Sequence, residues 1–152
     1  MPYLAIGGNR MKITEMKVNG VIHPLGYDCH QPSFTWCCGE YSKEDSVHFQ
    51  FVLSLDDAFN EISYQSEIGE VLDPLGYTPP SMLYQARTRY YWKIIAQKDG
   101  QIISEAVSWF ESGKHQEAWQ ANWVYYPTDQ ESIQYVKDFE VTTQIKQARI
   151  YM

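Results

Sequence analysis

Cysteine is scarce in this chain: three in 152 residues, Cys29, Cys37 and Cys38, an odd number with two adjacent. That pattern does not make the disulfide framework that staples small secreted domains, and it points to a reducing compartment. Long apolar runs are missing too. Nothing approaches the roughly 20 apolar residues that a membrane-crossing helix needs, and Met1 to Arg10 has neither a basic start nor a long apolar stretch. The expectation is a cytoplasmic protein with no membrane partner; a signal already removed would make it secreted instead. Positive charge is in short supply, with 12 Lys and Arg against 19 Asp and Glu, a net charge of −7 and a pI near 5.0. Such a balance repels phosphate backbones, and no basic stripe interleaves with the aromatics, so nucleic acid is not expected as a partner. Metal-type spacings are absent as well: His23, Cys29, His30, Cys37, Cys38 and His48 include no Cys-x2-Cys or His-x3-His pair. No metal and no cofactor are expected. Repeats and low-complexity segments are also lacking.

What the chain does have is apolar and aromatic character, 44% and 15% of residues respectively, ample for a packed core and, being rich in Tyr and Trp, inclined to strands. Seven short segments alternate between apolar and polar residues: 13–18, 33–38, 47–55, 63–68, 81–84, 89–97 and 101–111. Turn residues separate them at Asn19-Gly20, Pro24-Leu25-Gly26, Asp73-Pro74-Leu75-Gly76 and Asp99-Gly100. This is the rhythm of an all-β sandwich, and Asp99-Gly100, between two strong runs, is the clearest hairpin signal. In the run Arg89 to Ala96, residues Tyr90, Trp92, Ile94 and Ala96 share one face, while Arg89, Tyr91, Lys93 and Ile95 share the other. Phe34, Trp36 and Cys38 likewise share a face, so Trp36 is expected to pack inside against Tyr90 and Trp92. Adjacent Cys37 and Cys38 must point to opposite faces, Cys38 inward.

The spacing Tyr84-x-Ala86-x-Thr88-x-Tyr90 resembles the fibronectin type III pattern, in which the hydroxyl of a buried tyrosine opening a strand bonds back to preceding backbone. The expected fold is therefore an immunoglobulin-like (fibronectin type III-like) β-sandwich of about seven strands. After Gly113 the texture changes. Residues 1–11 read as a leader or mobile arm, 12–113 as the sandwich and 114–118 as a linker. Residues 119–152 read as the first strands of a further, incomplete β-sandwich module, with strands at 136–141 and 145–152. A strand edge left open by truncation could pair two copies into a homodimer.

Five motifs in order resemble the N-terminal region of bacterial α-L-rhamnosidases of glycoside hydrolase family 78: His23-Pro24-Leu25-Gly26-Tyr27-Asp28 with Pro32-Ser33-Phe34-Thr35-Trp36; Arg87-Thr88-Arg89-Tyr90-Tyr91-Trp92-Lys93; Trp109-Phe110-Glu111-Ser112-Gly113; Trp119-Gln120-Ala121-Asn122-Trp123-Val124; and Phe139-Glu140-Val141 with Ile145 to Tyr151. Order and spacing agree over about nine tenths of the chain. His23, where the family commonly has Asn, and Cys37-Cys38 depart from the pattern. The resemblance implies a non-catalytic module whose partners are the remaining domains of a parent enzyme. That enzyme would remove terminal α-L-rhamnose by inversion, using an acid and a base carried by a later helical barrel. No catalytic residue is assigned to this chain. Glu44-Asp45, Asp56-Asp57 and Glu67/Glu70/Asp73 read as solvated turns. Aromatics are the remaining candidates, because exposed Trp and Tyr rings stack on sugars or dock neighbouring domains: Tyr91, Trp109, Trp119 and Trp123 are the candidate carbohydrate or interdomain contacts. The alternatives are a carbohydrate-binding module and a generic fibronectin-like protein-interaction domain.

Overall fold

A computed structural model describes residues 11–28, 30–39, 46–80, 82–122, 134–146 and 148–150. The leader to Arg10, Cys29, the Glu44-Asp45 pair and Trp123 lie outside the described residues. The chain divides into two compact units, Met1–Gln116 and Glu117–Met152, and the division falls within the stretch 114–118 read as a linker.

The first unit is all-β. Its strands are β1 (Lys12–Val18), β2 (Leu25–Tyr27), β3 (Phe34–Gly39), β4 (His48–Ser54), β5 (Ile62–Gln65), β6 (Arg89–Lys98) and β7 (Gln101–Ser112). Antiparallel β1 and β3 form a two-stranded sheet, and the other five form a second sheet in the order β2-β7-β6-β4-β5. All pairs are antiparallel except β2 with β7, which run parallel. Among the described residues there is no helix, and so none long and apolar enough to cross a membrane.

The turns form where their residues allow them. Asp99 and Gly100 have φ of 51° and 75° and join β6 to β7 with Lys98 opposite Gln101, the two-residue hairpin that needs positive φ at both central positions. Asn19-Gly20 does the same after β1: Val18 and Val21 exchange backbone hydrogen bonds of 2.9 and 3.0 Å. Within β1 the register shifts between Thr14 and Lys17 while Glu15 sits at φ 50°, a bulge that absorbs one extra residue.

The core lies between the sheets. Phe34 and Trp36 from β3 and Ile13 and Val18 from β1 meet Phe51, Leu53, Tyr90, Trp92, Ile94, Ala96 and Phe110, with Leu72 and Tyr77 closing one side. Phe34, fully buried, is the hub: its ring lies 4.7 Å from Phe51, 4.9 Å from Trp92 and 5.7 Å from Phe110. Trp36 is buried in the same cluster as Tyr90 and Trp92, with Phe49 edge-to-face at 6.0 Å. Phe34, on the same face, makes the ring contact with Trp92.

Three expectations are corrected. Residues 82–84 form no strand; instead Tyr77 exchanges backbone hydrogen bonds with Phe34. The alternation there was real at the level of packing, since Met82 and Tyr84 lie against the core, but the segment pairs with no strand. Conversely, Pro24-Leu25-Gly26 leads into β2, a three-residue edge strand too short to show a period. In the second unit, the described residues of 136–141 and 145–150 carry no strand, and Val136, Phe139, Ile145 and Ile150 are exposed. A strand needs a partner edge, and so short a stretch supplies none of its own.

Candidate functional site

Tyr90 opens β6 on its inner face, and its hydroxyl accepts a 2.7 Å hydrogen bond from the backbone N–H of Gln85. Burial pushes the phenol pKa up, opposed in part by this bond. The same corner is tied from below: buried Ser112 accepts from Thr88 N–H at 2.9 Å and its hydroxyl donates to the Gln85 carbonyl. This is the back-bonded tyrosine expected from the spacing.

The opposite face of β6 and β7 carries the aromatic candidates. In register, Arg89 sits opposite Glu111, Tyr91 opposite Trp109 and Lys93 opposite Val107. Tyr91 and Trp109 are therefore cross-strand neighbours, each half-buried. Protein groups already hold the Trp109 ring. His23 stacks on it at 4.7 Å and 5°, and the Arg89 guanidinium carbon lies 4.1 Å from its centroid. Arg89 Nη2 is 3.3 Å from Glu111 Oε2, and Glu111 is 1% exposed. Burying a carboxylate is tolerable only with such a partner. The parallel β2 edge covers this corner, with Glu111 N–H donating to the Pro24 carbonyl at 2.9 Å. Farther along the same face, Lys93 Nζ lies 4.4 Å over Phe59. Trp119 is 58% exposed and belongs to the second unit. Of the four residues singled out from sequence, the structure brings Tyr91 and Trp109 together.

Two other groups of side chains were not foreseen. Tyr64 and Tyr77 share a hydroxyl–hydroxyl hydrogen bond of 2.9 Å, and Tyr77 donates to Glu70 at 3.4 Å. Burial is the first cause of a strongly raised Tyr77 pKa, with the hydrogen bond to Tyr64 next, which makes this phenol a poor proton donor. Beyond the end of β7, His30 and His115 approach each other beside a cleft. Among the described residues no group of three or more His, Cys, Asp or Glu is placed to hold a metal.

The acidic turns are engaged in local structure. Asp56 accepts from the backbone N–H groups of Glu61 at 2.6 Å and Ala58 at 3.0 Å, and from the Ser54 hydroxyl at 3.1 Å. The Glu61 bond is the chief cause of a carboxyl pKa below the usual 3.8, the reverse of what a general acid requires. Asp73 accepts from Leu75 N–H at 2.9 Å. Cys37 is exposed and Cys38 packs partly against the core, with burial raising the Cys38 thiol pKa; a raised thiol pKa makes a poor nucleophile.

No protein-family model matches the chain, and no curated protein does either. Among solved structures, the chain resembles part of the α-L-rhamnosidase from Dictyoglumus thermophilum. The likeness has 20% identity and a TM-score of 0.53, and covers 69% of this chain and 13% of that one. The α-L-rhamnosidase of Streptomyces avermitilis, solved with L-rhamnose, aligns with a TM-score of 0.45 and 22% identity, over 68% of this chain and 10% of that one. The chain thus spans only about a tenth of the length of these proteins, and the first likeness establishes a shared fold.

Proposed function

We propose that this chain is a non-catalytic module of an α-L-rhamnosidase, an enzyme that hydrolyses terminal α-L-rhamnose from glycosides, and that the module positions or supports the catalytic domain. Five ordered sequence motifs and the shared fold support the family. The sheet order and the Tyr90 corner support the finer classification as immunoglobulin-like and fibronectin type III-like. The catalytic acid and base belong, in this reading, to other domains. Those domains are the partners, and free Cys37 and Cys38 favour a reducing compartment.

The observation that carries a supporting role over sugar binding is the state of Trp109. A sugar platform needs an open ring face, whereas this indole is stacked by His23 and approached by Arg89. Its chemistry is that of a rigid surface, with Tyr91 beside it, against which a neighbouring domain docks. The test is to express the reading frame that contains this chain, and the chain alone, and to assay both on p-nitrophenyl α-L-rhamnoside. Turnover by the whole frame with none by the 152-residue chain is the expected result. An inactive whole frame removes the rhamnosidase assignment, and binding of rhamnosides by the isolated chain, lost on replacing Trp109, makes it a carbohydrate-binding module.

A further inference from the structure

We propose that His30 and His115 form a two-histidine site for a divalent transition-metal ion of the zinc, nickel or copper class. The two residues are remote in sequence, and chain packing joins them. Gly113 N–H donates to the Tyr27 carbonyl at 2.8 Å, and His115 N–H donates to Asp28 Oδ1 at 2.7 Å. These two bonds fasten the segment leaving β7 onto the loop that follows β2. The contact there is close: a Cβ on Gly113 would come within 2.5 Å of Asp28 Oδ1 and 2.7 Å of the Gly26 carbonyl oxygen. Only glycine lets the two segments approach this far.

The fastening sets the imidazoles 5.4 Å apart, centroid to centroid, with planes inclined at 45°. Two imidazoles bound through nitrogen to one tetrahedral ion, at about 2.0–2.1 Å each, place their centroids about 5 Å apart. A second observation points the same way. His115 Nε2 is buried and makes no hydrogen bond, and a buried ring nitrogen without a partner is unfavourable unless something accepts or supplies the missing interaction. A neutral imidazole with its lone pair on that nitrogen is the commonest protein ligand for zinc, nickel and copper. Both rings line one cleft of about 310 Å³, together with Met82, Leu83, Tyr84 and Gln116. Asp28, which accepts from the His115 backbone N–H, holds the segment carrying that ligand in place. Because the ion would tie the β2–β3 loop to the exit of β7, its binding stabilises the folded sandwich by mass action.

The test is calorimetric titration of zinc chloride, in buffer free of chelators and thiols, into the 152-residue protein and four variants. One equivalent is expected to bind to the unaltered protein. Affinity should fall by at least about tenfold in H30A and in H115A and stay unchanged in H48A and C37S. Failure to bind zinc at millimolar concentration, retention of full affinity in H30A, or loss of binding in C37S each overturns the site. His30 is exposed, so H30A tests the proposal even where H115A folds poorly. A second readout uses imidazole proton resonances. Zinc should shift two of the four histidines, those that H30A and H115A remove, and shifts confined to the other two reject the proposal.

Discussion

The two faces of the β6–β7 hairpin are built by different physics. On the inner face Tyr90, Trp92, Ile94 and Phe110 enter a dry cluster around Phe34, in which each ring touches several others. Its contribution scales with apolar area removed from water and has little directionality. On the outer face Trp109, Arg89, Glu111 and Lys93 meet in pairs, by stacking, cation–π contact and one ion pair. Val107 remains 53% exposed there. Pairwise contacts at a half-wet surface are individually small. The inner face therefore specifies the fold, and the outer face is free to carry the docking surface proposed above.

The sharpest break in this contrast is Phe34→Ala. It removes the ring shared by three aromatic neighbours and leaves a cavity, at a cost of about 3–5 kcal/mol, measurable as a shift of the urea midpoint with little change in slope. A loss below about 1.5 kcal/mol would mean that the hub is not Phe34. Tyr90→Phe comes next. It keeps the packing and removes only the acceptor for Gln85 N–H, so about 1–2 kcal/mol is expected. Equal stability of the variant and the parent would show that the corner bond contributes nothing. On the outer face, Trp109→Ala should cost less, roughly 1 kcal/mol from lost stacking and cation–π contact, while weakening association with the neighbouring domain proposed to dock there. A loss as large as that of Phe34→Ala would erase the distinction between the faces.

The legible part of the chain follows the same division. Alternation identified β1, β3, β6 and β7 because each turns one face to the core, and the inner face of β6 was read residue by residue; β4, buried on both faces over its second half, and β5, which turns only Tyr64 to the core, were found as apolar runs between turns. It failed at 82–84, where apolar side chains pack without backbone pairing, and at β2, where three residues are too few to alternate. At the site, Tyr91 and Trp109 could be paired in principle once the Asp99-Gly100 hairpin fixed the register. The stacking of His23 on Trp109 and the approach of His30 to His115 could not be read, because long-range packing creates them and no local period encodes them.

The smallest effect expected lies at the far end of the five-stranded sheet, in the loop joining β4 to β5. Asp56 there collects two backbone N–H groups and the Ser54 hydroxyl, and its pKa falls below 3.8, chiefly through the Glu61 bond. A carboxylate with a depressed folded-state pKa stabilises the fold fully above its unfolded value and loses that contribution as pH falls through the folded one. The loop contribution is thus constant near neutrality and disappears only below pH 3.8, the unfolded value. A carbon-detected pH titration of the Asp56 side chain should show a midpoint below 3.8. Asp56→Asn should remove that pH dependence while leaving the β6–β7 register intact. A midpoint at or above the ordinary value would mean that the loop's hydrogen bonds do not persist in solution. The outer loops would then be looser than the inner face by more than the pairwise contacts imply.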